Sequence, residues 1–81
     1  MNNKKDRLSL IELKDGETGL IVSVNGGKML NKRLADLGLT PGVRIKILRK
    51  TLFAGPVQVE VFGSRLVLGR GLASKIMVET E

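Results

Sequence analysis

The residues that could do chemistry in this 81-residue chain are four serines (Ser9, Ser23, Ser64, Ser74), the neighbouring acids Asp15 and Glu17, the terminal pair Glu79 and Glu81, and the internal methionines Met29 and Met77. There is no histidine and no cysteine. Without imidazole a serine has no ordinary general base at neutral pH, and without thiolate there is neither a sulfur nucleophile nor a soft anionic metal ligand. Ser74 and Lys75 are adjacent, at the expected start of a strand, where successive side chains point to opposite faces, so they cannot act as a Ser-Lys pair. Asp15 and Glu17 flank Gly16 in a turn, and their spacing is not that of a calcium loop, so they read as solvated acids. Met29 and Met77 fall at periodic positions and are expected to pack in or near the core. Gly69-Arg70-Gly71 has neither the strand-to-helix setting of a dinucleotide loop nor a phosphate-loop pattern. The expectation is a non-enzymatic chain with no metal site and no cofactor.

What remains is charge and a few large apolar residues. The formal net charge is +6, from 14 Lys+Arg against 8 Asp+Glu, and it is uneven. Residues 43–75 carry Arg44, Lys46, Arg49, Lys50, Arg65, Arg70 and Lys75 against Glu60 alone. Such a field favours an anionic partner. Lys28, Lys32 and Arg33 lie on the polar side of a helix, and Arg44 and Lys46 on the outer side of a strand, where they could meet phosphates or acidic protein. Single-strand nucleic-acid readers stack bases on aromatic rings, and only Phe53 and Phe62 are present, neither in a base-stacking motif. Protein docking fits better. Leu52 and Phe53 are consecutive large apolar residues in a loop, and Phe62 falls on the outward register of its strand. They form either an exposed apolar patch or a plug over one end of the fold. The partner-binding set is therefore Leu52, Phe53, Phe62, Lys32, Arg33, Arg44 and Lys46. The rival reading is a basic RNA-binding barrel of the translational type.

The elements that position these residues follow from periodicity. Residues 1–7 are a polar tail and 8–81 a single domain, small enough that homo-oligomerisation could support it. Ser9 and Glu12 match a capping box for one helical turn. Glu17 to Val24 reads as a strand with Leu20, Val22 and Val24 on one face, and Asn25 as the cap of a helix over Lys28 to Leu37. Leu30, Leu34 and Leu37 share one face of that helix. Gly38 stops it, with Leu39 folding back, and Pro41-Gly42 fits a type II turn. Strands are expected over Val43–Lys50, Val57–Phe62, Arg65–Leu68 and Lys75–Glu79. Gly63-Ser64 is read as a Gly-first two-residue hairpin turn, and 69–74 as a connector with one 3₁₀ turn. Five short strands and one short helix between the first two strands give a mainly β, antiparallel barrel. No apolar run is long enough to cross a membrane, and the N-terminus has no hydrophobic signal core, so a cytoplasmic location without membrane insertion is expected.

Three stretches, in this order and spacing, resemble the ferrous iron transport protein A (FeoA) family over about residues 8–79. They are Arg33-Leu34-x-x-Leu37-Gly38-Leu39-x-Pro41-Gly42, then Gly55-Pro56-Val57-x-Val59-x-Val61, then Gly63-x-Arg65-Leu66-x-Leu68 leading through Leu72-Ala73 to Ile76-x-Val78. The resemblance implies an SH3-like barrel. It also implies a cytoplasmic accessory protein of bacterial ferrous iron uptake that regulates or assembles membrane transporter B by docking on its cytoplasmic GTPase part. Recruitment to the inner face of the membrane would then come through that partner. Iron-dependent repressors carry the same fold behind a helix-turn-helix segment. Residues 1–7 hold no such segment, so the stand-alone form is expected.

Overall fold

Alternating apolar residues build one antiparallel sheet whose inner face is the core. A computed structural model describes residues 7–51 and 55–81. In chain order its strands are β1 (Arg7–Ser9), β2 (Thr18–Val24), β3 (Arg44–Lys50), β4 (Val57–Val61), β5 (Ser64–Leu68) and β6 (Ile76–Thr80). A helix α1 (Gly27–Asp36) joins β2 to β3, and a second, α2 (Arg70–Ser74), joins β5 to β6. The strand order is β1-β6-β2-β3-β4-β5, with every neighbour antiparallel. This is the expected SH3-like architecture with one more strand. Pairing begins at Arg7, assigned above to the tail, which lies opposite Glu79 and bonds to it at 3.2 Å.

The inner face is continuous. Ile45 and Ile47 of β3, Val57 and Val59 of β4, and Ile76 and Val78 of β6 are fully buried, as their alternation requires. Leu34 of α1 and Leu39 beyond it join the same core. The helix ends as expected. Gly38 adopts φ +83°, its N–H donates to the Ala35 carbonyl at 2.9 Å, and the Leu39 N–H donates to Leu34 at 2.8 Å. The type II turn also forms, with Gly42 at φ +92° and the Val43 N–H donating to Thr40 at 3.1 Å.

Several expectations are corrected. On β2 the inward residues are Gly19 and Ile21 rather than Leu20 and Val22. A bulge at Val22 then shifts the register, so Val24 still packs on the core. Glycine is inward because there is no room. A Cβ on Gly19 would lie 2.9 Å from Val78 Cβ and 3.2 Å from Leu13 Cδ1. Asn25 does not cap α1. Gly26 holds the N-cap position with no side-chain bond, and the Asn25 N–H pairs with the Lys75 carbonyl. Leu37 turns partly outward, and Met29 is 88% exposed rather than core. The connector expected to hold a 3₁₀ turn is the five-residue α2. Before β2, Leu10–Glu12 forms a 3₁₀ turn in which the Ser9 N–H donates to Glu12 Oε1 at 2.8 Å, the Glu12 half of the expected capping box.

Candidate functional site

The polar residues singled out for chemistry are mostly engaged in holding turns. Ser9 Oγ donates to the Ser74 carbonyl at 2.8 Å, tying β1 to α2, and Ser74 Oγ donates to Gly71 at 2.7 Å. Asp15 accepts the Lys50 N–H at 3.1 Å and Glu17 accepts the Lys14 N–H at 2.7 Å, which pins the turn before β2 against β3. Both residues are exposed, as expected of solvated acids, and their carboxylates also hold the turn. Among the described residues no three His, Cys, Asp or Glu side chains cluster as a metal site.

A groove lies on the opposite, outer face of the sheet. The ladder sets Thr18 of β2 opposite Lys46 of β3, and Lys46 opposite Glu60 of β4, so three side chains form a row across three strands. Arg44 stands two residues before Lys46 and so shares its face. With Phe62 and Gly63 these residues line a cavity of about 320 Å³. Arg44 is oriented by Glu81, Nε to Oε1 3.0 Å, while remaining mostly exposed. Lys46 makes no ion pair among the described residues, and its nearest acidic neighbour on the ladder is Glu60. The groove thus offers an aromatic wall and two cations partly balanced by one acid of its own.

Phe62 is the unusual member. Val61 pairs with Ser64, so the two-residue turn between β4 and β5 is Phe62-Gly63, not Gly63-Ser64. Both turn residues have positive φ, +53° and +75°, the signature of a type I′ turn. That turn favours Asn-Gly or Asp-Gly, and a bulky aromatic at its first position is a genuine conformational outlier. Phe62 is the one non-glycine with positive φ among the described residues, and its side chain is 79% exposed. The ring lies over Gly38 at the end of α1, where a Cβ would stand 3.5 Å from Phe62 Cε2. Leu37, next along, is 46% exposed.

Of the residues proposed from sequence, the structure brings Arg44, Lys46 and Phe62 together. Lys32 and Arg33 are exposed on α1 and do not line the groove. Leu52 and Phe53 lie outside the described residues. Thr18, Glu60 and Gly63 were not singled out, because their place in the groove depends on strand register, which no local signal in the chain encodes.

Comparison with known proteins gives a consistent result. The family model described as the FeoA domain matches residues 8–80. A protein of Methanocaldococcus jannaschii, named provisionally as Fe(2+) transport protein A, is 38% identical over 66 residues, covering 82% of this chain and 78% of the relative. A crystal structure of an iron uptake regulatory protein (FeoA) superposes with a TM-score of 0.81 at 36% identity, covering 90% of this chain and 95% of that one. A manganese-dependent transcriptional repressor shares the fold alone, with a TM-score of 0.84 at 23% identity over 96% of this chain and 44% of that one.

Proposed function

This chain belongs to the FeoA family, and from that premise we propose that it serves ferrous iron transport by docking, through the groove around Phe62, on the cytoplasmic GTPase part of the membrane transporter. The role is one of binding without turnover. No helix of the described residues is long and apolar enough to cross a membrane.

The observation that carries this reading is Phe62. A large ring exposed to water and held in a disfavoured backbone conformation has a cost to the free monomer, and such strain persists mainly where function requires it. Interface anchors are typically aromatic, flanked by cations that orient the partner. Phe62 beside Arg44 and Lys46 has that composition. Regulation then follows from differential affinity. The bound chain biases the transporter toward whichever state presents the better complementary surface.

A pull-down from membranes at moderate ionic strength tests the proposal, with the wild-type chain and Phe62→Ala as parallel baits. Recovery of the transporter by the wild type and its loss with the variant is expected. Equal recovery with both baits removes Phe62 from the interface.

A further inference from the structure

The β4–β5 turn fixes which backbone groups of β5 are free. In a two-residue hairpin the pair flanking the turn exchanges both hydrogen bonds, and bonded and non-bonded pairs alternate from there. Val61/Ser64, Val59/Leu66 and Val57/Leu68 are therefore the bonded pairs, and Glu60/Arg65 and Gln58/Val67 are not. The N–H and C=O groups of Arg65 and Val67 consequently point away from β4. β5 ends the sheet, and among the described residues no bond reaches these four groups. The opposite edge, β1, is only three residues long. β5 has five, with Val67 67% exposed and Arg65 its one charge. Native sheets usually blunt such an edge with proline, bulges or several charges.

We propose that β5 accepts an acidic, extended segment of the partner as a further strand, with the free groups of Arg65 and Val67 supplying the hydrogen bonds. This deepens the docking reading and rests on it for the identity of the partner. Main-chain bonds give affinity in such strand addition, while alternate side chains give specificity. The specificity here is for negative charge. Residues 43–75 hold seven cations and one acid; that acid, Glu60, stands opposite Arg65 on β4 but makes no ion pair with it among the described residues, so the cationic charge beside the edge is only partly offset. Charge also decides against a second copy of the chain. Symmetric pairing of two β5 edges about Leu66 would set the two Arg65 side chains diagonally, about 7–8 Å apart, between proteins that each carry +6.

The probe is an acetylated heptapeptide alternating valine and glutamate, added to the full chain while amide hydrogen exchange is followed residue by residue. Exchange at Arg65 and Val67 should slow at least tenfold, while Leu66 and Leu68, already bonded to β4, change little. A valine-lysine peptide should give no protection. Unchanged exchange at Arg65 and Val67, or equal protection by the lysine peptide, overturns the proposal. So does protection that grows with protein concentration without peptide, which would mean that copies pair. Val67→Pro removes an outward N–H without breaking a β4 bond and should abolish the effect, whereas Val67→Thr should retain it. Arg65→Glu, which keeps every backbone group, should reverse the preference between the two peptides. If the transporter's cytoplasmic domain binds wild type and Val67→Pro equally, the edge inference fails while docking stands. If that domain binds neither but the acidic peptide still protects the edge, the choice of partner fails and the edge inference stands.

Discussion

Replacing Phe62 by asparagine separates strain from packing. A bulky side chain in the left-handed region costs about 1–2 kcal/mol, and asparagine is among the residues that tolerate it best. Against this gain stands the loss of the ring's contacts. Phe62 is 79% exposed, so about a fifth of its surface is covered. A fifth of a typical ~200 Å² aromatic side chain, at about 25 cal/mol per Å², is about 1 kcal/mol at most. The variant should therefore be as stable as the wild type or more stable, by up to about 1 kcal/mol. For a domain of this size that is a rise in Tm of up to about 4–8 °C. A core phenylalanine would behave differently, since its truncation costs about 3–5 kcal/mol. Urea unfolding followed by circular dichroism, together with a thermal scan, distinguishes these cases. A loss of more than about 1 kcal/mol would show that the ring holds the fold together, and the inference from strain to docking would fail.

Three further outcomes are expected. Gly19→Ala places a methyl 2.9 Å from Val78 Cβ and 3.2 Å from Leu13 Cδ1, both in the core, and should destabilise by about 1–3 kcal/mol in urea titration. Gly38→Ala meets only the Phe62 ring at ordinary contact distance, so its cost should be that of a non-glycine at φ +83°, about 1 kcal/mol by the same assay. Arg44→Glu with Lys46→Glu should slow association with the transporter's cytoplasmic domain at low salt and much less at high salt, as read by stopped-flow mixing, with a modest fall in Tm because the new carboxylates face Glu81 and Glu60.

The parts of the fold legible in the chain are those set by local chemistry. Gly38 and Gly42 stand where positive φ is required, and the alternations at Ile45/Ile47, Val57/Val59 and Ile76/Val78 mark inner faces directly. The parts that were not legible depend on what lies across space. Gly19 faces inward because Val78 and Leu13 leave no room for a side chain, and a glycine carries no hydrophobic mark that would reveal its inward position. The bulge at Val22 changes parity in mid-strand, so a two-residue period fitted the wrong face. Met29 is expected near the core, but at five residues from the buried Leu34 it stands about 140° around α1 from it, off the inner face, and is 88% exposed. At the turn, Gly63-Ser64 carried the favourable local signal, but the Val61–Ser64 pairing moved the turn back by one residue onto Phe62. That one-residue difference made the candidate site visible, because it turned an outward strand residue into a strained, exposed one. Arg44 and Lys46 were found from alternation alone, whereas Thr18 and Glu60 became visible only with the ladder.

The central claim is that this chain acts by binding through Phe62. Calorimetric titration of the purified cytoplasmic GTPase domain of the transporter with the wild type and with folded Phe62→Ala tests it most directly. Saturable binding of the wild type, weakened about thirtyfold or more in the variant, is the predicted result, in line with a hot-spot loss of about 2 kcal/mol. Equal affinities, or no heat of binding from the wild type, would contradict it.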